Sequence, residues 1–391
     1  MTNNRKYKVA GIGIGRAGTG RVRAYDVHPL CEVVAVAASD RYNLDLATER
    51  FGVPGYIDAT EMFDTHDIDI AVASLPVRAN HSVVMSAVAG GVKAMVTEKP
   101  LTATLSDADE MVEACQVNGI EFASGLVSWN RLNHWTAREM LWEGVIGDVQ
   151  RINIYDTNGQ GGCHGINLAR HFANAADVEV VTGFVERDPF SDYESQHTGN
   201  GDEGFGGVGG YIRFVNGVEA FSSFKPVKWR GFEVIGSDGI LYKKNSTALK
   251  LHLLKAEGEE FRRVEVHDIE PPVRTTSDGS ILYDDDGWAH LTDGMYRSAA
   301  AVVETLQTGE PIKLTTGDDL RKALEIGIAM RESARGGGVP VKLPLEDRSL
   351  TMYPQNSRWN YKKEIMGQEA YAEALANQKK SKTIHRREHR G

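Results

Sequence analysis

The chain has 391 residues, 41% hydrophobic and 25% charged, enough for two globular domains with a core in each. Its net charge of −10 argues against nucleic acid or anionic membrane surfaces as general partners, and no apolar run reaches the length of a membrane span. Three scattered cysteines, Cys31, Cys115 and Cys163, give neither a disulfide framework nor a zinc spacing, so a reducing cytoplasm and no bound metal are expected.

The first element sets the frame. An apolar run from Val9 leads into Gly13-x-Gly15-x-x-Gly18, and an amphipathic segment, Thr19 to Val27, follows. That order is strand, tight turn, helix. Gly13 permits the turn, Gly15 permits close approach of a pyrophosphate, and Gly18 permits the helix to pack on the strand. The helix start, with Arg16 and Ala17, presents free backbone N–H groups and a partial positive charge to phosphate. A second strand, Val33 to Ala38, ends at Ser39-Asp40. Asp40 stands about 20 residues past the last glycine, where an acid accepts hydrogen bonds from an adenosine ribose. That favours NAD. Arg41 beside it softens repulsion of a 2′-phosphate, so NADP is not excluded.

Strand and helix signals then alternate to about residue 125. A helix over Leu44 to Phe51 is closed by Gly52 and Pro54. Ile68 to Ser74 reads as a strand ending at Leu75-Pro76, and Ala79 to Val88 as a helix stopped by Gly90-Gly91. Ala94 to Thr97 is a strand ending at Glu98-Lys99-Pro100. Ser106 is the expected N-cap of a helix running to Asn118, and Glu121 to Ser124 is the last strand. Such alternation predicts a parallel sheet with helices on both faces and ligands at the strands' carboxyl ends, where Asp40, Pro76 and Lys99 fall.

Beyond this point the pattern changes. A short helix, Thr136 to Glu143, precedes strand-like runs at Val149–Tyr155, Val178–Phe184, Tyr211–Phe214, Ala220–Phe224, Phe232–Ile235, Leu249–Leu254 and Val264–Val266. A helix around Ile166 to Ala173 interrupts them, and Asp318 to Ala334 is a further helix stopped by three glycines. The fold class is therefore α/β: an N-terminal Rossmann-type domain, 1–125, then an α/β domain, 126–345, with a large, open, mostly antiparallel sheet. Residues 346–391 read as a tail. Tyr361 to Asn377 is its candidate helical arm, and Lys379 to Arg390 is strongly basic.

Two places carry candidate chemistry. Lys99, between an apolar strand and Pro100, stands near the edge where a nicotinamide would lie. Its ammonium is suited to hydrogen-bond a substrate oxygen, and an ion pair with Glu98 is the equal alternative. The second place is Gly161 to His171. In a helix, His164, Asn167 and His171 share one face, which suits proton transfer near neutral pH. Lys225, Lys228, Trp229 and Arg230 form a weaker cluster, and Tyr283 to Trp288 reads as an exposed loop. A second glycine pattern, Gly204 to Gly209, leads into a strand rather than a helix and reads as a loop.

At Glu98-Lys99-Pro100 the chain resembles the Gfo/Idh/MocA family of NAD(P)-dependent sugar and cyclitol oxidoreductases. The resemblance covers roughly residues 7 to 345 in motif order. It includes the glycine fingerprint, Asp40, Pro76 with His81 shortly after, the Glu98-Lys99-Pro100 motif, Gly144 to Val149, the glycine-to-histidine helix and the run into Val339 to Pro344. It implies a small-molecule carbohydrate substrate and assembly into a homodimer or homotetramer through the open sheet. It also implies that Lys99 positions substrate and that His171 transfers the proton. The family's aspartates four before and three after that histidine are Asn167 and Asn174 here. Asparagine binds a sugar hydroxyl but accepts no proton. A redox-neutral, NAD-dependent glycoside hydrolase is therefore the alternative reading, and a non-catalytic nucleotide sensor the third.

Overall fold

The computed structural model describes residues 5–125, 132–155, 163–185, 189, 208–223, 231–244, 250–258, 260–264 and 293–352. Its first part alternates β1 (Tyr7–Ile12), α1 (Arg16–Asp26), β2 (Cys31–Ala37), α2 (Arg41–Phe51), β3 (Gly55–Tyr56), α3 (Ala59–Thr65), β4 (Ile70–Ala73), α4 (Val77–Ala89), β5 (Ala94–Thr97), α5 (Leu105–Val117) and β6 (Glu121–Ser124). The strands form one sheet in the order β3-β2-β1-β4-β5-β6, and every pair is parallel. The strand order reverses between β1 and β4, which opens a crevice at their carboxyl ends. Apolar runs such as Ile70–Ala73 are buried along their whole length, as a sheet covered on both faces requires.

The second part contains α6 (Leu132–Trp142), β7 (Val149–Ile154), α7 (Cys163–Phe172), β8 (Val178–Val185), β9 (Val208–Phe214), β10 (Glu219–Ser222), β11 (Phe232–Gly236), β12 (Gly239–Lys243), β13 (Leu251–Glu257), β14 (Glu260–Val264), α8 (Asp293–Thr308), α9 (Gly317–Arg335) and β15 (Val341–Lys342). Its strands form a nine-stranded sheet, antiparallel except where β10 runs parallel to β7. Helices α7 and α9 cover one face. The other face shows Phe184 and Phe221, 48% and 43% exposed, beside a charge ladder of Arg213–Glu179 and Arg151–Glu219.

The two parts share a core. One apolar cluster runs from Met95, Leu105 and Met111 into Leu320, Leu324 and Ile328 of α9. Helix α8 packs back onto α1 and β6 of the first sheet. Residues 345–352 are docked too: Arg348 bonds both Asp109 of α5 and Glu325 of α9, and Met352 N donates to Ala103 O. One expected cap is corrected. Thr104, not Ser106, caps α5, because its Oγ1 accepts from Asp107 N and Leu105 already belongs to the buried helix face. The Lys225–Arg230 cluster, Tyr283 to Trp288, most of the second glycine pattern and the tail beyond residue 352 lie outside the described residues.

Candidate active site

The glycine turn after β1 fits a dinucleotide at each position. Gly13 has φ +76°, and a Cβ there would meet Ser74 O at 2.4 Å. A Cβ on Gly18 would meet Gly13 O at 2.2 Å, so α1 presses directly on the turn. A Cβ on Gly15 would meet no protein atom within 4 Å. The space beside Gly15 is thus open, and Gly15 is the N-cap of a helix with no acid in its first turn. The backbone at Arg16 and Ala17 begins that helix. This is a cradle for an anionic diphosphate.

Around it stand the ends of the neighbouring strands. Asp40 follows β2 at the N-cap position of α2 without a side-chain capping bond, and Asn43 Nδ2 donates to its carboxylate. Arg41 is drawn along α2 to Asp45, at 3.1 Å. Pro76 follows β4 and caps α4. His81 faces α5 instead, where its Nε2 lies 2.8 Å from Glu110 Oε2. Three buried polar atoms flank the crevice with no hydrogen-bond partner among the described residues: Ser74 Oγ, Thr97 Oγ1 and Asn80 Oδ1. Sequence reasoning missed all three.

Glu98 pairs with Arg21 of α1, and both are buried. Its carboxylate is thus turned into the protein. Lys99 itself is half-buried and joined to Pro100 by a cis peptide bond. Its positive charge reaches the Cys163 thiol at the start of α7, partly offsetting the upward push of burial on that thiol. Lys99 and the start of α7 are thus within electrostatic reach of each other.

Helix α7 is buried almost all round, with His164 its one partly exposed residue. The expected polar face is thus an interior one. Asn167 is fully buried, and its Oδ1 accepts from Arg170 Nη1, which is also 2.8 Å from Asp319 Oδ1. Through Oδ1 the side chain braces α7 against α9, while its Nδ2 is buried with no hydrogen-bond partner among the described residues. His171 is 7% exposed and lies against Trp135 and Trp142 of α6, with ring centroids 6.1 and 6.2 Å away. The Arg138 guanidinium is stacked on the same two indoles. Burial pushes the His171 pKa well below the ordinary value, and Arg138, Arg170 and His134 push it further. A neutral imidazole results, able to accept a proton. Trp135, Arg138 and Trp142 recur at helical spacing on α6, a signal the sequence contained.

Comparison with known proteins is consistent with this arrangement. Residues 7–125 match the Gfo/Idh/MocA model, described as an oxidoreductase family with an NAD-binding Rossmann fold. A 1,5-anhydro-D-fructose reductase of Ensifer adhaerens is 26% identical over 299 residues, 69% of this chain and 87% of that protein. A dTDP-3,4-didehydro-2,6-dideoxy-alpha-D-glucose 3-reductase of Streptomyces antibioticus is 31% identical over 135 residues, 34% of this chain and 40% of that protein. Among solved structures, a levoglucosan dehydrogenase in complex with NADH and levoglucosan superposes with a TM-score of 0.69 at 19% identity, covering 87% of this chain and 100% of that one. That last likeness is one of fold.

Proposed function

We propose, from the match of residues 7–125 to the Gfo/Idh/MocA family of NAD-binding oxidoreductases, that the chain moves a hydride between NAD and a hydroxyl or keto carbon of a sugar or cyclitol. One observation carries the reading. The open cradle at Gly15 and the half-buried Lys99 share the carboxyl edge of one sheet, and Lys99 reaches the helix that bears His164 and His171. NAD, when bound, gives or takes the hydride.

The chain's own residues do the rest. Backbone N–H groups from Gly15 to Gly18 hold the diphosphate, and Asp40 accepts from the adenosine ribose. Lys99 hydrogen-bonds the reacting substrate oxygen and stabilises its developing negative charge. His171, held neutral, takes the hydroxyl proton, and His164 contacts substrate. The side chains of His81 and Glu98 are engaged by Glu110 and Arg21, and Asn167 contributes through α7. Arg41 is tied to Asp45, so NAD is preferred to NADP. Three free cysteines, all buried, fit a reducing cytoplasm. No helix among the described residues is long and apolar enough to cross a membrane. The uncovered sheet face, with Phe184 and Phe221, is the proposed homo-oligomer contact.

The test is a panel of sugars, cyclitols and glycosides with NAD, read by NADH absorbance. Net NADH with a free sugar or cyclitol supports the proposal. Glycoside cleavage without NADH supports the hydrolase reading, and NAD binding with neither supports a sensor. Lys99→Met and His171→Ala are expected to lower turnover by about two to four orders of magnitude with the fold and NAD binding kept. Wild-type turnover in either variant removes that residue from the site.

A further inference from the structure

Arg21 is an unusual residue for its place. It lies in the middle of α1, the helix that opens at the proposed phosphate cradle, yet it is only 7% exposed. Burial lowers its pKa to about 10. Nothing in the glycine fingerprint calls for a cation there. Its partner is Glu98, 9% exposed, the residue directly before Lys99. A buried ion pair is a poor source of stability, because desolvation of both charges offsets their attraction. Its geometry is the more informative property.

That geometry ties three elements together. Arg21 Nη2 donates to Gly125 O at 2.7 Å, and Gly125 N donates to Thr97 O at 2.7 Å. The ends of β5 and β6 are thereby fastened to α1. Gly125 leaves room for the pair: a Cβ there would lie 2.6 Å from Arg21 Nε and 3.1 Å from Glu98 Oε1. On the far side of Lys99, Asn80 of α4 donates to the carbonyls of Pro100 and Leu101, at 3.2 and 2.9 Å. Lys99 is therefore pinned on both flanks. Glu98 is held by α1, while the charge of the adjacent Lys99 reaches Cys163 at the start of α7.

We propose that Arg21 is a positioning residue, acting through Glu98 to aim Lys99 at the reacting oxygen. The inference rests on the hydride-transfer reading above. It couples the helix that holds the diphosphate to the lysine that touches substrate, so that a shift of α1 moves Lys99.

The experiment uses the full chain with NAD and three variants: Arg21→Met, Arg21→Lys, and the double variant Arg21→Met with Glu98→Leu. The double variant leaves no lone buried charge and so decides the question if Arg21→Met does not fold. Two readouts are taken. The first is kcat on the sugar found by the panel, with NAD affinity measured by calorimetry. The second needs no substrate: the rate at which acetic anhydride acylates Lys99, followed by peptide mass spectrometry. The expected result is a fall in kcat on the order of ten- to a hundredfold with NAD affinity near wild type, as for a misplaced reacting group. Lys99 acylation rises several-fold, and Arg21→Lys recovers most of both. A structural role alone lowers the melting temperature and moves neither readout in the folded enzyme. Wild-type kcat or wild-type acylation in a folded variant lacking Arg21 overturns the proposal. If the natural enzyme turns over no sugar, hydride transfer fails on its own terms, and acylation still decides whether Arg21 aims Lys99.

Discussion

Burial strips solvent from the His171 ring, and Arg138 and Arg170 bring positive charge near it. Each effect disfavours the imidazolium, so the ring is neutral at the start of the proposed reaction, as a proton acceptor must be. Asn167 governs one of these cations. Its Oδ1 accepts from Arg170, and a carboxylate at that position would offset the Arg170 charge as well as add its own. Asn167→Asp should therefore raise the apparent pKa of the acidic limb of the rate profile, by on the order of one unit. Rate against pH for the two proteins checks it. An acidic limb that stays in place would mean that His171 does not carry the proton, or that its ring is insulated from Arg170. The wild-type limb should lie below the ordinary histidine value of 6.5, since the shift is downward.

The first strand, turn and helix divide their labour among three glycines in a way that substitution can separate. Gly13→Ala sets a Cβ against Ser74 O at a positive φ, and should destabilise the domain by about 2–4 kcal/mol. Gly15→Ala meets no protein atom, so the domain should fold normally while NAD binding weakens. Thermal melting and calorimetry with NAD read the two effects, and equal loss of stability in both variants would contradict the division. This unit was legible in the sequence because three local signals, apolar run, glycine spacing and amphipathic helix, agree. Helix α8 went unread, although Met295, Ala299, Val302, Val303 and Leu306 recur at helical spacing. It follows a long polar stretch with Pro271-Pro272, which reads as the end of regular structure. The active site was half legible. Lys99 and His171 stand out by residue type and motif, whereas the partners of Glu98 and Asn167 do not. Arg21 and Arg170 meet them where α1 approaches the turn after β5 and where α7 packs against α9, contacts that no spacing within a single element announces.

Titration couples these sites to the stability of the whole molecule, and the sign differs by group. His171 and His28 have native pKa values below the ordinary 6.5, both chiefly through burial. Above pH 6.5 they are neutral folded or unfolded and contribute no slope. Below it the unfolded chain takes protons that the native state refuses, so stability falls as pH falls towards their native values. Asp69, Asp109 and Asp177 act at lower pH. Burial raises Asp69 and Asp109, but hydrogen bonds from Lys93 and Lys8 N, and from Arg348 and Arg321, more than reverse it. Lys322 holds Asp177 down by a direct hydrogen bond. Their stabilisation is complete above the ordinary 3.8 and is lost as pH falls through the depressed native values. Asp26, raised by burial, works against this loss in part. Two of these carboxylates join distant parts of the chain: Asp109 binds α5 to α9 and to Arg348, and Asp177 binds the α7–β8 link to α9. Acid should thus act in two stages, a first decline beginning near the histidine value and a steeper one below the carboxylate value. Calorimetric melting across about pH 4 to pH 8 should show the first decline, and His171→Asn should flatten it. A melting temperature that stays level from the ordinary histidine value down to about pH 5 would show that the native state accepts those protons freely, and that His171 is not held neutral.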